Sequence, residues 1–350
     1  MSGRACLEVL PANLLDHRAV KAWRRAARDC SEPQSVEVLK LKWKTAVYRL
    51  TGTGPDGLGL IAKRCLKRTA TVERMIYEDF LGQLRMPALR YYGSIEEPDG
   101  DYCWQFLEDA GGGEYRADIP NHRVLAGRWL GTIHSLGMQA GLEGRLPGRQ
   151  PVHYLNLLQS SRESIRNLAG NPLLPDDDVR TLRALLIDCD VLESRWGQVE
   201  GICQDAPRTI VHGDLVRKNL RVRSTAEGPV LLVFDWENAG WGVPGTDLAQ
   251  FAGRSVSPDL AAYRAAMKKG GTRLDARLVR RWVECGTIFR LLDVISWACS
   301  YVATDSYLNL IKPIACLRIY GMRLAEALRG GPRGDNFSRS GWGIFRVDLG

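Results

Sequence analysis

A short β-rich island between long helical stretches constrains the fold of this chain more than any other feature. The island has three predicted strands: Thr209–Val211, Leu220–Val222 and Val230–Phe234. Around it, apolar side chains at helical spacing predict helices over 121–138, 154–168, 177–197, 258–269, 275–301 and 305–329. Polar residues follow directly after two of the island strands. Because strand ends in one hairpin lie close together, the island is the place to look for a functional site.

The first 108 residues show a different pattern, with more predicted strands than helices. Short runs rich in Val, Leu, Ile and Tyr predict strands at Val36–Leu41, Ala46–Thr51, Leu58–Cys65, Leu89–Ile95 and Tyr102–Leu107, with helices over 13–29 and 71–84. Glycines between the second and third strands predict a hairpin turn, and Gly111–Gly113 predict a link. The order predicts an α+β chain with a β-rich small lobe and a mainly helical large lobe, with its chemistry in the cleft between them.

Composition excludes several classes of protein. The chain has 350 residues, enough for two lobes, and its 9 cysteines are scattered without a Cys-x-x-Cys pair. A zinc site or disulfide framework is therefore not expected, and a reducing cytoplasm is the expected location. The sequence shows neither a long apolar run nor a signal peptide, so no membrane association is expected. The net charge is +8, but basic blocks with interleaved aromatics are lacking, so no nucleic-acid partner is expected.

The loop after the first island strand carries the chemistry. It reads His212-Gly213-Asp214, and Asn219 follows five positions later at the start of the next strand. A further island strand ends in Asp235. Mg²⁺ binds carboxylate and amide oxygens together with phosphates, and a third carboxylate can orient a hydroxyl and accept its proton. Asp214 suits the second task, and Asn219 and Asp235 suit the metal.

The small lobe offers a partner for phosphates. Lys63 ends an apolar strand, and Glu73 follows it by ten positions on the first turn of the predicted helix 71–84. A lysine held by such a glutamate can point its ammonium at the α- and β-phosphates of a nucleotide. Glu78 competes for the lysine, but it faces another side of the helix, so Glu73 is the preferred partner.

In these motifs the chain resembles the aminoglycoside phosphotransferase and choline kinase family, the small-molecule branch of the protein-kinase-like fold. The resemblance spans residues 36–250. Its motifs are Phe106–Asp109, Leu130-Gly131-x-x-His134, His212–Asp214 with Asn219, Asp235–Glu237, Gly242-x-Pro244 and Asp247–Ala249. It implies ATP and Mg²⁺ as cofactors and a small hydroxylated molecule as the phosphoryl acceptor. The implied domains are an N-terminal extension 1–34, a nucleotide-binding lobe 35–108, a catalytic and substrate-binding lobe 109–330 and a tail 331–350.

The resemblance also implies residue roles. Asp214 is expected to be the catalytic base, Asn219 and Asp235 to hold Mg²⁺, and Lys63 with Glu73 to grip phosphates. The backbone of Gln105, Phe106 and Leu107 is expected to meet the adenine. His212 and Asp247 are expected to support the catalytic loop, and His134 to be a packed histidine.

Two departures from protein kinases bear on the substrate. The glycine-rich loop is missing, since the matching turn Lys40–Ala46 contains no glycine. Two roles are open for Lys42, Lys44 and Thr45 in this turn: they are either phosphate ligands or solvated residues at the strand ends. His-Gly-Asp and Asp-Trp-Glu replace His-Arg-Asp and Asp-Phe-Gly, which favours a small-molecule acceptor over a protein.

The acceptor itself stays open. Residues 251–330 contain 13 basic and 6 acidic side chains, and this net charge of +7 disfavours a polycationic aminoglycoside. Glu284 and Asp293 are the candidates for a local acidic pocket. Arg217 and Lys218 are equally consistent with phosphate, an anionic acceptor or solvent. A kinase of a metabolite or natural product therefore ranks first, ahead of a resistance phosphotransferase and a catalytically silent ATP-binding pseudokinase. ATP and GTP, and monomer and dimer, are not distinguished.

Overall fold

The computed structural model describes residues 13–27, 32–42, 44–54, 59–98, 100–249, 255–302 and 307–329. The predicted tail 331–350 and the turn residues 55–58 lie outside the described residues. The described chain divides into two compact units. The first contains the described residues up to Leu125 together with Asp214–Ala239, and the second contains Ala126–Gly213 and the described residues from Gly240 onwards.

The elements are as follows. The strands are β1 Ser35–Lys42, β2 Thr45–Thr51, β3 Leu60–Leu66, β4 Tyr91–Glu96, β5 Tyr102–Glu108, β6 Gly113–Glu114, β7 Gly148–Arg149, β8 Thr209–Val211, β9 Leu220–Thr225, β10 Gly228–Val233 and β11 Gly240–Gly242. The helices are α1 Arg18–Ala26, α2 Lys67–Met75, α3 Pro120–Gly137, α4 Pro151–Ala169, α5 Asp176–Ser194, α6 Trp196–Gln204, α7 Gly245–Leu248, α8 Leu260–Lys269, α9 Ala276–Cys299 and α10 Tyr307–Arg329.

The first unit is built on a five-stranded sheet in the order β1-β2-β3-β5-β4, with antiparallel neighbours throughout. Alternate residues of β2 and β3 are apolar on one face, and α1 covers this face through Trp23, which packs on Phe106. The strand period of two sends the intervening residues, among them Lys63, to the opposite face. The same unit contains the hairpin β9–β10, with β6 paired to β9.

The second unit is mainly helical. Its core lies around α9, where Phe289 stacks on Tyr154 of α4 with ring centroids 4.1 Å apart. A small sheet of β7, β11 and β8 runs beside the helices. The predicted helix 177–197 ends at Ser194, and α6 follows it as a separate helix that the spacing did not predict. None of the described helices is long and apolar enough to cross a membrane.

Candidate active site

Lys63 is the centre of the site in the first unit. It lies on β3, between β2 and β5, and its side chain is nearly buried. Its ammonium is 2.8 Å from Glu73 Oε2 and 2.6 Å from Asp235 Oδ1, with Glu237 Oε2 at 3.8 Å. Glu73 comes from α2 and Asp235 from the end of β10, so one cation joins sheet, helix and hairpin. Glu78 lies in an exposed pair with Arg74, so Glu73 is the partner of Lys63.

The charges of this cluster depend on burial and on one another. Burial by itself lowers the pKa of Lys63, but Glu73 and then Asp235 outweigh it and raise the pKa well above the ordinary value. For Asp235, burial raises the pKa, but the charge and hydrogen bond of Lys63, together with the charges of Lys40 and Lys218, outweigh burial and lower the pKa, so the carboxylate stays ionised. Glu73 is completely enclosed, and burial raises its pKa despite the ammonium. The ammonium is therefore fixed in its charged form between two carboxylates.

Asp235 is held in a strained backbone conformation. Its φ of 68° and ψ of 57° are left-handed, which few residues other than glycine adopt. The turn follows β10 and leads into a short 3₁₀ helix, Trp236–Asn238, whose Trp236 is buried. Such strain persists where the surroundings enforce it, and it is concentrated at functional sites. Here it directs the carboxylate at Lys63.

The hairpin brings Asn219 beside this turn. Val233 pairs with Leu220, and the Phe234 backbone N–H donates to the Asn219 carbonyl at 3.1 Å. The buried Asn219 side chain donates through Nδ2 to the Asp214 carbonyl at 2.9 Å and to Asp214 Oδ2 at 3.5 Å. Asp214, Asn219 and Asp235 thus lie at one end of one hairpin. Lys218 is 3.7 Å from Asp214 Oδ2, in a largely exposed position.

The donor set at this hairpin end fits a hard cation that also binds phosphate. Among the described residues, no group of three His, Cys, Asp or Glu side chains is arranged to hold a metal ion by itself. Asn219 uses its Nδ2 as a donor, so its amide oxygen is the atom left for a cation, and Asp235 adds a carboxylate at the same end of the hairpin. Mg²⁺ retains several water and phosphate ligands and needs only one or two protein oxygens.

Within the second unit, Asp247 holds the backbone of the two residues that precede Asp214 in the sequence. Asp247, on α7, is completely buried and accepts backbone N–H bonds from His212 at 2.7 Å and Gly213 at 2.9 Å. Gly213 has a φ of 75°, so the turn before Asp214 requires a glycine-like backbone. Burial raises the pKa of Asp247, but bonding and charge from His134 and His212 outweigh it and lower the pKa.

Two further supports come from helices distant in the sequence. His134 of α3 lies 3.3 Å from Asp247 Oδ2 through Nε2 and 3.2 Å from the Tyr263 hydroxyl through Nδ1. Arg290 of α9 is buried and donates to the Gly213 carbonyl. Sequence reasoning treated His134 only as a packed histidine and missed Tyr263 and Arg290. An arginine among apolar residues at the core spacing of a predicted helix was the one available signal for Arg290.

The stretch Gln105–Leu107 lies in the middle of the sheet. Its residues pair with Ile61–Lys63 of β3 on one side and with β4 on the other. The Gln105 and Phe106 side chains are completely buried. The predicted contact between adenine and this backbone stays a prediction, and in the sheet these residues pair with strands on both sides.

A β-sheet unit with a buried lysine–glutamate pair, joined to a hairpin carrying Asp214, Asn219 and Asp235, defines the class of phosphotransferases with the protein-kinase-like fold. The chain belongs to the phosphotransferase enzyme family, whose model matches residues 35–282. This confirms the resemblance found in the motifs. No curated protein matches the chain significantly in sequence.

Solved structures show the same fold. Ethanolamine kinase from Plasmodium vivax is 16% identical over 85% of this chain and 83% of that chain, with a TM-score of 0.54. Choline kinase from Cryptosporidium parvum Iowa II is 12% identical over 84% and 90%, with a TM-score of 0.57. The GDP complex of wild-type aminoglycoside 2'-phosphotransferase-IIIa is 15% identical over 87% and 97%, with a TM-score of 0.58. The predicted α+β, protein-kinase-like fold is confirmed.

Proposed function

We propose that this phosphotransferase uses ATP and Mg²⁺ and moves the γ-phosphoryl group to a hydroxyl of a small metabolite or natural product. The observation that carries the proposal is the Lys63 ammonium, bonded at once to Glu73 and to the strand-end Asp235. A cation held in this way can bind the α- and β-phosphates while leaving the hairpin oxygens to a metal.

In this proposal each side chain has one task. Asp235 and the Asn219 amide oxygen hold Mg²⁺, which when bound would neutralise charge on the β- and γ-phosphates. Asp214 orients the acceptor hydroxyl and accepts its proton. Asp247 fixes the backbone before Asp214 by its two bonds to His212 and Gly213, and Arg290 fixes the Gly213 carbonyl.

The charges of the second unit favour an acceptor that is not a polycation. Of the two acids suggested for a local acidic pocket, Asp293 pairs with Arg149 at 3.3 Å. Glu284 is partly buried, and burial raises its pKa, with Arg281 and Arg280 opposing. A single acid with a raised pKa is a weak site for several ammonium groups. The proteins named in the comparisons are phosphotransferases of ethanolamine, choline and aminoglycosides, and we place this chain with the less cationic acceptors.

The test is turnover and nucleotide binding measured on the same samples. The wild-type chain should release ADP with at least one member of a panel of sugars, amino alcohols, nucleosides and antibiotics. Asp214→Ala should abolish that release while ATP affinity stays within about threefold, because Asp214 acts on the acceptor and not on the phosphates. Both ATP and GTP should be tried, since one of the similar structures is a GDP complex.

The possible outcomes distinguish the proposed function from its alternatives. Loss of ATP binding in a folded Asp214→Ala variant contradicts the role given to Asp214. ATP binding by the wild type without ADP release, across the whole panel, favours the pseudokinase alternative. Release of ADP only with aminoglycosides favours the resistance phosphotransferase.

A further inference from the structure

A second lysine of the first unit faces the site, and it comes from the sheet edge. Lys40 of β1 is paired with Val47 of β2, and Val47 is paired with Lys63 of β3. Directly opposed residues in antiparallel strands point to the same face of a sheet. Lys40 and Lys63 therefore project from one face, two strands apart, which is about 10 Å between backbones.

A β-bulge puts Lys40 on that face. The register shifts between Val38, which opposes Tyr48, and Lys40, which opposes Val47. Val38 and Leu41 pack with the core under α1, on the opposite face. In a regular strand, Lys40 would point to the same face as Val38. The extra residue, Leu39, reverses this and directs Lys40 to the Lys63 side, which is the effect bulges have beside active sites.

The charges around Lys40 leave it available for a ligand. Among the described residues, the ion pairs of this cluster belong to Lys63 and Lys218 and none to Lys40. Burial lowers the pKa of Lys40, and Asp235 and Glu237 raise it less, with Lys63 and Lys218 opposing them. Lys40 thus shares Asp235 and Glu237 with Lys63 and Lys218, and it is the lysine of the three that forms no ion pair among the described residues. A partly buried lysine of this kind can gain a charged partner by binding an anion.

We propose that Lys40 is a ligand of the phosphate chain of the nucleotide. It would supply, from β1, the positive potential that the backbone N–H groups of a glycine-rich loop supply in protein kinases. The segment Lys40–Ala46 contains no glycine, so a side chain takes that task. The inference rests on the proposed use of a nucleoside triphosphate.

The experiment compares a triphosphate with its nucleoside. Dissociation constants for Mg-ATP and adenosine, and for Mg-GTP and guanosine, are measured by calorimetry or competition on the full chain and on Lys40→Met, Lys40→Arg and Lys21→Met. Lys40→Met should bind the triphosphate about 10–100-fold more weakly and the nucleoside unchanged, because one charged contact is lost. Lys40→Arg should stay within about threefold.

Controls separate this role from a structural one. Lys21 is an exposed lysine on α1, which packs on the other face of the sheet, so Lys21→Met should change neither affinity. The unfolding midpoint of Lys40→Met should equal or exceed that of the wild type, because the variant no longer buries an unpaired charge. A lower midpoint with unchanged triphosphate affinity would mean a structural lysine and overturns the proposal.

The remaining outcomes distinguish this inference from the proposed function. Unchanged triphosphate affinity in Lys40→Met, with tight binding by the wild type, overturns the role of Lys40 alone. Equal weakening of triphosphate and nucleoside also overturns it, because the phosphates would then not be the contact. A wild-type chain that binds neither ATP nor GTP overturns the proposed function and this inference together.

Discussion

At the residue scale, the site depends on how one buried ammonium is shared. Lys63 is 2.6 Å from Asp235 and 2.8 Å from Glu73, and Glu73 Oε1 has no hydrogen-bond partner among the described residues. The arrangement keeps Asp235 ionised, as the proposed Mg²⁺ site requires, while a second, enclosed carboxylate holds the lysine in place. Removing the ammonium would leave the enclosed Glu73 and the partly buried Asp235 without their shared cation.

Lys63→Met is therefore expected to act on stability as well as on nucleotide use. Breaking a buried ion pair from one side costs roughly 3–5 kcal/mol of unfolding free energy near neutral pH. Denaturant unfolding measures the loss, and nucleotide titration should show weaker binding in the same variant. Lys67→Met removes an exposed pair with Glu96 and is the matched control, for which we expect no change in either measurement.

The cost of Lys63→Met should also depend on pH. Glu73 already has its pKa raised by burial, from 4.5 to about 7, so the folded chain binds more protons than the unfolded chain between these values. Stability linked to Glu73 is thus fully present below pH 4.5 and is lost as the pH rises through about 7. Without Lys63 this pKa rises further, so the loss of stability in the variant should be smaller at pH 5 than at pH 8, while the part that comes from the ionised Asp235 remains at both. A loss that is equal at both pH values would contradict the assignment.

At the element scale, two glycines let α7 lie directly against α9. A Cβ added at Gly286 would lie 1.9 Å from the Gly245 carbonyl oxygen, and one added at Gly245 would lie 2.2 Å from the Trp282 carbonyl oxygen. Asp247 follows Gly245 by two residues, and Arg290 follows Gly286 by four. The close approach therefore sets the position of both side chains that hold the loop before Asp214.

Gly286→Ala should separate these helices and disturb the loop. We expect a loss of about 1–3 kcal/mol in unfolding free energy from overpacking, and a fall in kcat that exceeds the change in ATP affinity. Gly201→Ala in α6 is the matched control, because nothing lies within 4 Å of its added Cβ. That variant should gain roughly 0.5–1 kcal/mol from helix propensity. A Gly286→Ala chain as stable and active as the wild type would refute the packing role.

At the scale of the whole molecule, nucleotide binding should increase the free energy of unfolding. The chain carries a net charge of +8, yet Asp235 stays ionised where the phosphates are proposed to bind, so ATP without a cation meets repulsion. A ligand at 100 times its dissociation constant stabilises the folded state by about 2.7 kcal/mol.

We therefore expect ATP to raise the unfolding midpoint by a few degrees with Mg²⁺, and much less in EDTA. Differential scanning fluorimetry measures this, with Mg²⁺ alone and Mg-AMP as controls that should leave the midpoint nearly unchanged. An equal rise with ATP in EDTA would show that the divalent cation is not needed for binding.

Much of the architecture was predictable from local patterns. Short runs rich in Val, Leu, Ile and Tyr located β1–β5, and the sequence Val233-Phe234-Asp235 after an apolar strand placed the acid at a hairpin end. Local patterns did not predict the exact bounds and type of a helix where these depend on tertiary packing. The predicted helix 71–84 begins earlier, at Lys67, and passes from α2 into a π-helical segment, Ile76–Phe80. The π-helical segment buries Ile76, Tyr77 and Phe80; helical spacing had placed Ile76 and Phe80 on the apolar face, but not Tyr77.

The sequence alone determined the family, the order of sheet and helices, and the chemical types at His212–Asp214, Asn219 and Asp235, because these reside in short motifs and local spacing. The tertiary structure alone decided that one ammonium joins Glu73 to Asp235, that Arg290 and His134 support the loop, and that the bulge at Leu39 turns Lys40 towards Lys63. These depend on contacts between residues far apart in the chain and on strand register, and a one-residue shift in register reverses the face of every side chain that follows.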